Sequence, residues 1–260
     1  MHVLGAVGPG AADLFERLPG RLDGRVATVE SVPSTDVDGV DGPADASFEL
    51  GEGAWSGRGT ERSLAGLLDR LAPDFDYALL IGFPGARVPT VTLGDADARS
   101  ELLAAADAAA VDVDDLAESL AETEPWVTLE SLVERIKGVP DADRAGAIAT
   151  FTGRVRARDD PDDARTTHLE FEKYEGVAER RLDAIERELA DRDGVVAVDT
   201  HHRTGVIEDG EDIVFVVVLA GHREEAFRTV EDGINRLKDE VPIFKKETTV
   251  EDEFWVHDRS

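Results

Sequence analysis

Short apolar runs separated by glycine turns fill the first third of the chain. The pattern predicts four strands, in "MHVLGAV" and in residues 24–30, 74–83 and 88–95. It predicts two helices with leucines at helical spacing, namely Leu14 and Leu18 in the first and Leu64, Leu67, Leu68 and Leu71 in the second. Alternating strands and helices indicate an α/β domain with three layers.

A glycine turn follows the first predicted strand. Gly5 and Gly10 stand at the spacing of a phosphate-binding loop, G-x-x-x-x-G-K-[ST]. Ala11 and Ala12 replace the lysine that neutralises phosphate and the hydroxyl that holds magnesium. This favours a retained scaffold or docking domain over a working nucleotide switch, because backbone amides alone bind an anion only weakly.

A segment rich in Ala, Asp and Glu, with no aromatic residue, interrupts the pattern at 96–124, and Pro125 ends it. We interpret this segment as one or two short acidic helices that connect two domains. At 260 residues two domains are expected. The predicted ranges are 1–95, 96–124 and 125–260.

A strand over 146–160, "GAIATFTGRVRARDD", opens the second domain. Period-two alternation puts Arg154, Arg156 and Arg158 on the same side of the extended chain. Three positive charges on one side repel each other unless an anion lies among them. The alternative is a solvated basic edge paired with the many nearby acids.

The remaining pattern predicts a strand with His168 and Tyr174, an amphipathic helix ended by Gly194, and two further strands that end in His202-Arg203 and His222-Arg223. The stripe of the first helix is Ala178, Leu182, Ile185 and Leu189. A last helix over 223–240 has a predicted buried stripe of Phe227, Val230, Ile234 and Leu237.

Three of the five lysines in the chain lie between 238 and 246. Lys238 falls beside the buried stripe in the last helical turn, where the helix dipole alone would also favour a cation. Pro242 stops the helix. Lys245 and Lys246 follow in an extended piece, where neighbours face opposite ways, so only one of them faces inward. We expect the inward lysine to be the functional one.

Composition changes the picture by excluding partners. The chain has 57 Asp and Glu against 28 Lys and Arg, a formal charge of −29, yet 42% hydrophobic residues. This predicts a folded, salt-adapted (halophilic) protein whose acidic surface repels nucleic acid and anionic membranes. No apolar run approaches the roughly 20 residues that span a bilayer, so we expect a soluble, cytoplasmic protein. The sequence has no cysteine, so any sulfur chemistry needs sulfur carried by another molecule.

Residues 1–95 resemble the small GTP-binding adaptor protein of molybdopterin-guanine dinucleotide biosynthesis. The resemblance lies in the glycine turn, in "GRVATVE" and in "DFDYALLIGF". Ile81 stands where that family has an acidic residue near the end of the last of these strands. The resemblance therefore implies a phosphate-loop fold with an eroded nucleotide site.

The second half resembles the large, catalytic subunit of molybdopterin synthase. The motifs are "GAIATFTGRVR", "YEGVAERRLDAI", "HHRTG", "GHREEAF" and "LKDEVPIFKKE", in this order and followed by "FWV". The resemblance implies an α/β hammerhead-type fold and a homodimer within a heterotetramer. It implies sulfur transfer to cyclic pyranopterin monophosphate from the Gly-Gly thiocarboxylate of a small ubiquitin-like subunit, which forms the dithiolene of molybdopterin.

The same resemblance implies which residues form the site. It implies no cofactor and no metal. The catalytic pair falls on Lys238 and Lys245. The substrate contacts fall on Arg154, Val155, Arg156, His222, Arg223, Lys246 and Glu247. Guanidinium groups suit a phosphate. A lysine can hold an anion or release a proton, which arginine cannot.

Two other functions stay open at this point. A nucleotide-binding adaptor would use the second half only for docking. A non-catalytic pterin carrier would bind molybdopterin and tolerate the loss of Lys245.

Overall fold

The structure is a computed structural model that describes residues 1–33, 46–59, 63–158, 160–174, 176–250 and 253–256. Glu175 of the "YEGVAERRLDAI" motif and the side chains of "FWV" at 254–256 lie outside the described part. The chain divides into two compact units, Met1–Thr128 and Leu129–Ser260.

Strands and helices alternate through most of the first unit. Its strands are β1 (His2–Val7), β2 (Val26–Glu30), β3 (Ala46–Leu50), β4 (Trp55–Gly59), β5 (Tyr77–Ile81), β6 (Thr90–Leu93) and β7 (Glu101–Ala105). Its helices are α1 (Ala11–Arg17), α2 (Leu64–Leu71) and α3 (Val113–Ala121), with 3-10 turns at Pro19–Arg21 and Ala108–Ala110.

A parallel five-stranded sheet in the order β2-β5-β1-β6-β7 forms the centre of this unit. Alternate residues of β1 face opposite sides: Leu4 packs with Leu14 of α1 and Leu116 of α3, whereas Val3 packs with Leu68 of α2. The unit is therefore a three-layer α/β structure. The four predicted strands and both predicted helices are confirmed, and β3 and β4 add a separate antiparallel hairpin.

The glycine turn differs from the expected loop in one respect. Gly5 lies inside β1, where a Cβ atom would come within 2.6 Å of Thr90 Oγ1, so close strand packing explains this glycine. Gly10 adopts a left-handed backbone, with φ 86°, at the start of the seven-residue α1. The predicted loop role of Gly5 is therefore corrected to a packing role.

The interpretation of 96–124 as a connector also needs a correction of local structure. Residues 101–105 form β7, the edge strand of the sheet, and α3 buries Leu116 and Leu120 in the same core as α1. Asp112 caps α3 by accepting hydrogen bonds from the amides of Asp114 and Asp115, at 2.9 and 3.3 Å. The acidic exterior of this segment conceals an ordinary amphipathic stripe. The domain ranges themselves stay predictions.

Leu120→Ala tests whether this segment is part of the core. Leu120 is fully buried, so we expect the substitution to lower the free energy of unfolding of the first unit by about 2–5 kcal/mol. Leu102→Ala, in exposed β7, is the control and should cost about 0.5 kcal/mol or less. Chemical denaturation followed by tryptophan fluorescence measures both. Equal, small losses would restore the connector interpretation.

The described residues of the second unit form seven strands and three helices. Its strands are β8 (Ala147–Arg154), β9 (Thr166–Lys173), β10 (Val195–His202), β11 (Gly205–Glu208), β12 (Asp212–Ala220), β13 (Ile243–Thr249) and β14 (Glu253–Val256). Its helices are α4 (Leu129–Lys137), α5 (Val177–Ala190) and α6 (Arg223–Glu240), with a 3-10 turn at Ala142–Arg144.

Two antiparallel sheets organise this unit, with the orders β10-β12-β8 and β11-β9-β13-β14. The apolar run of β12 is buried because α5 and α6 pack on the first sheet and α4 contacts β10 and β12. The second sheet has its own small core of Val155, Leu169, Phe171 and Ile207. Ile213 and Ile243 contact both cores. The hammerhead name for this fold stays a prediction.

Phe227 is the clearest wrong prediction in this unit. Its side chain is 67% exposed, whereas the buried positions of α6 include Ala226, Val230 and Gly233. A Cβ atom on Gly233 would lie only 3.0 Å from Val216 Cγ1, so α6 approaches the sheet through small residues. The buried stripe of α6 therefore begins at Ala226, one residue before Phe227.

Smaller boundary differences remain. Helix α5 ends at Ala190, four residues before Gly194, and Tyr174 lies one residue beyond β9. Three strands, β10 to β12, stand where two were expected. None of the helices in the described ranges is long and apolar enough to cross a membrane.

Candidate active site

The strand pairing of β13 decides which lysine faces inward. Lys245 pairs with Phe171 of β9, and Lys246 pairs with Glu170. Directly opposed residues share a face of the sheet. Phe171 is buried in the core of the second sheet, so Lys245 lies on the inner face and Lys246 on the outer face. The alternation of Lys245 and Lys246 is confirmed, and the inward member is Lys245.

The two predicted catalytic lysines differ from the other three in their partners. Lys137 Nζ lies 2.6 Å from Glu134, Lys246 Nζ lies 3.9 Å from Glu170, and the remaining lysine also contacts a carboxylate. Within the part of the chain that the structure describes, Lys238 and Lys245 form no ion pair. In a chain with 57 acidic residues, two cations without a carboxylate partner among the described residues are available to an anion.

Glu247 shares the inner face with Lys245 but is already engaged. It pairs with Leu169 in the register, and its carboxylate accepts a hydrogen bond from the hydroxyl of buried Thr166. This hydrogen bond links the Glu247 side chain on β13 to Thr166 on β9. The substrate-binding roles predicted for Glu247 and Lys246 stay predictions.

The C-terminal end of α6 lies near the C-terminal end of β8, the strand that carries Arg154. Helix α6 follows β12 directly and packs back on β12 and β8, so it runs opposite to β12 and alongside β8. Its last turn, with exposed Lys238, therefore lies at the end of β8 that carries Arg154. The negative end of the helix dipole stabilises an ammonium group there.

Beyond the end of β8, alternate residues remain exposed. Arg154, Arg156 and Arg158 are exposed, whereas Val155 is 3% exposed and belongs to the core beneath Lys245. Arg154 donates from Nε to the Gly210 carbonyl at 3.0 Å and lies 3.4 Å from Asp212. Arg158 donates to the Pro161 carbonyl at 2.7 Å. Two of the three arginines thus serve local structure, and Val155 serves as packing.

His222 and Arg223 lie at the opposite end of α6. His222 is the residue before the helix and Arg223 is its first residue. At 1.5 Å per residue, Arg223 lies about 23 Å along the helix axis from Lys238. One copy of the chain therefore does not bring the predicted lysine pair and the predicted His-Arg pair to one anion.

Two residues without a predicted role lie near Lys245. Lys173 ends β9 on the same face as Phe171, and His202 ends β10 with its ring 4.9 Å from the Phe171 ring, edge to face. His202 Nδ1 donates to the Arg203 carbonyl at 2.7 Å, which leaves Nε2 as an acceptor. The alternation Leu169, Phe171, Lys173 was the available signal for this lysine.

An open groove of about 390 Å³ lies elsewhere, lined by Lys137, Ala145, Gly146 and Ile148 among others. It contains none of the predicted site residues. No group of three or more His, Asp or Glu side chains in the described residues could hold a metal ion.

Burial keeps both histidines of β10 neutral. Burial, with the nearby charge of Arg203, lowers the pKa of His201 to about 3. Burial lowers the pKa of His202 to about 4, against an ordinary value of 6.5. The unfolded chain therefore binds more protons than the folded chain as pH falls below 6.5.

Acid should consequently destabilise the second unit. Each histidine removes about 1.4 kcal/mol of unfolding free energy per pH unit between its unfolded and folded pKa, so the loss for His202 at pH 5 is about 2 kcal/mol. His202→Asn keeps a donor for the Arg203 carbonyl and cannot titrate. Urea denaturation from pH 8 to pH 4.5 should show a shallower fall for this variant; parallel curves would contradict the assignment.

Comparisons with known proteins identify relatives of this chain. Residues 122–240 match the family model described as MoaE protein. A "Probable molybdopterin synthase" from Haloferax volcanii is 62% identical over 261 residues and covers 100% of both chains. A "Molybdopterin synthase catalytic subunit" from Escherichia coli is 36% identical over 141 residues, which is 54% of this chain and 85% of that protein.

One solved structure shows the same partial coverage. The crystal structure of molybdopterin synthase from Staphylococcus aureus has 30% identity and a TM-score of 0.44, and it covers 49% of this chain and 90% of its own. The Haloferax volcanii relative matches along both units of this chain.

These matches define an enzyme of molybdenum cofactor biosynthesis. The chain belongs to the family of molybdopterin synthase catalytic subunits.

Proposed function

We propose that this chain transfers sulfur from the C-terminal thiocarboxylate of a small ubiquitin-like carrier to cyclic pyranopterin monophosphate, in the cytoplasm. The observation that carries the proposal is the pair Lys238 and Lys245, which have no carboxylate partner in the described residues of an acidic chain. The lack of cysteine fits a sulfur that arrives on a partner.

The two lysines have separable tasks. An ammonium group can hold the thiocarboxylate and stabilise negative charge as sulfur attacks the pterin. A second amine can move protons on and off the intermediate, a task for which an arginine is unsuited because it stays protonated. At ionic strengths above 1 M the screening length is about 3 Å, so both tasks need direct contact.

Removal of either lysine tests this function. In concentrated KCl, with thiocarboxylated carrier and cyclic pyranopterin monophosphate, Lys238→Ala and Lys245→Ala should each lower molybdopterin formation on the order of 10²-fold or more. Lys137→Ala is the matched control, because Lys137 already pairs with Glu134 on α4. Wild-type yields from both alanine variants would refute the catalytic assignment.

Arginine variants separate the two tasks. Lys238→Arg and Lys245→Arg each keep the positive charge and lose the capacity to release a proton. We expect arginine to restore activity at the electrostatic position and not at the proton-transfer position. The sequence alone left this assignment open.

The distance along α6 favours a site shared between two copies of the chain. A homodimer is the arrangement implied for this family, and a two-fold axis can bring His222 and Arg223 of one copy to the lysines of the other. The separation of about 23 Å within one copy supports this proposal.

Mixed preparations test the sharing. Lys245→Ala and Arg223→Ala should each be inactive alone, and refolded together they should recover about a quarter of wild-type activity, because half of the dimers then hold one intact site of two. Mixing Lys245→Ala with Lys238→Ala is the control, since neither site is then intact. No recovery in the first mixture would argue that each copy works alone.

The first unit is proposed as a scaffold with the ancestry of a phosphate-loop adaptor. Ala11 and Ala12 lack the side chains for phosphate and magnesium, and Gly5 serves strand packing. These features support a docking role over nucleotide turnover. The non-catalytic adaptor or carrier, the alternative for the whole chain, is not favoured, because the matched relatives are named as synthases.

A further inference from the structure

A third lysine shares the inner face of the second sheet with Lys245. Lys173 pairs with Ile243 in the register, two residues from the pair formed by Phe171 and Lys245. Side chains at such diagonal positions lie on one face, with backbone positions about 7–8 Å apart. Two long, flexible lysine side chains at that spacing can reach the same anion.

The side chain of Lys173 is largely buried, unlike that of a typical surface lysine. Its side chain is 20% exposed, and its Nζ lies 3.5 Å from Oε1 of Glu179, a carboxylate that is itself 60% exposed. An ammonium group has three donor hydrogens, and a contact of this length to a solvated carboxylate is readily displaced.

The charge of Lys173 is also felt at the histidines of β10. Burial is the main cause of the lowered pKa values of His201 and His202, and the charge of Lys173 adds to it in both, after the charge of Arg203 in the case of His201. The ring of His202 contacts Phe171, the residue opposite Lys245. Lys173, His202 and Lys245 therefore surround one stretch of the inner face.

Like charges on one face are costly unless an anion lies between them. Lys245 has no carboxylate partner in the described residues, and Lys173 has a long contact with an exposed one. The chain uses lysine at only five positions, and these two lie on the same side of the same strand pair.

We propose that Lys173 is a positioning residue that binds, together with Lys245, an anionic group of the reactants. This inference rests on the proposed function. The shared chemistry is a small anion bearing oxygen or sulfur, which is either the phosphate of the pterin or the thiocarboxylate of the carrier. Glu179 is one partner of the ammonium group in the absence of reactants, and the bound anion displaces it.

Steady-state kinetics with each reactant varied in turn test the proposal. Lys173→Met keeps the aliphatic stem and removes the charge; we expect the KM of one reactant to rise about 10-fold with kcat changed less than about 3-fold. The reactant with the altered KM identifies the anion. Lys173→Arg should restore most of the affinity, and Lys137→Met is the control with unchanged KM for both.

Glu179→Gln gives an effect in the opposite direction. Removal of the competing carboxylate should lower the same KM about 2-fold, which a merely structural role for Lys173 does not predict. Unchanged KM values in both Lys173→Met and Glu179→Gln would overturn the proposal while the sulfur-transfer function stands.

A binding measurement keeps the two proposals distinguishable. If the wild type forms no molybdopterin, the proposed function fails, and titration of cyclic pyranopterin monophosphate and of a thiocarboxylated tail peptide into wild type and Lys173→Met decides the role of Lys173. Weaker binding of one of them by the variant supports the anion site. Equal binding of both overturns it.

Discussion

The antiparallel register between β9 and β13 is the constraint on which the site depends. It places Lys245 opposite buried Phe171 and sends Lys246 to the other side of the sheet, toward Glu170. Since side chains alternate with a period of two, a slip of one residue would exchange the two lysines. The buried core of this sheet, which includes Leu169 and Phe171, opposes such a slip. Packing thereby selects which amine lies on the inner face of the sheet.

The excess of acidic residues also distinguishes the lysines from one another. A chain with a formal charge of −29 supplies carboxylates almost everywhere, and three of its five lysines contact one. The acidic surface keeps the protein solvated, while the inner face of the second sheet carries the two lysines Lys173 and Lys245. Strong salt screens these two regions from each other beyond about 3 Å. The same chain can therefore be acidic outside and still bind an anion within.

Hydrophobic positions that repeat every two or 3.6 residues predicted much of the fold. The strand that holds Lys245, the helix that holds Lys238, and the opposite orientation of Lys245 and Lys246 all follow from local sequence. Composition led to the wrong prediction of a connector at 96–124, because the many acidic residues there obscure the apolar stripe of α3. Phe227 misled because close helix packing prefers small residues to an aromatic one. Lys173 was missed because its relation to Lys245 is a pairing across strands, which the linear sequence does not display.

Strand β14 has a consequence for how the reactants arrive. Over Lys245 to Thr248, β13 is bonded to β9 on one side and to β14 on the other, so neither edge of this strand has backbone groups left for another chain. Recognition by strand addition, a common way to capture an extended peptide, is thus closed at Lys245. In the proposed function, the tail that delivers sulfur would have to cross the face of the sheet, where side chains govern its fit.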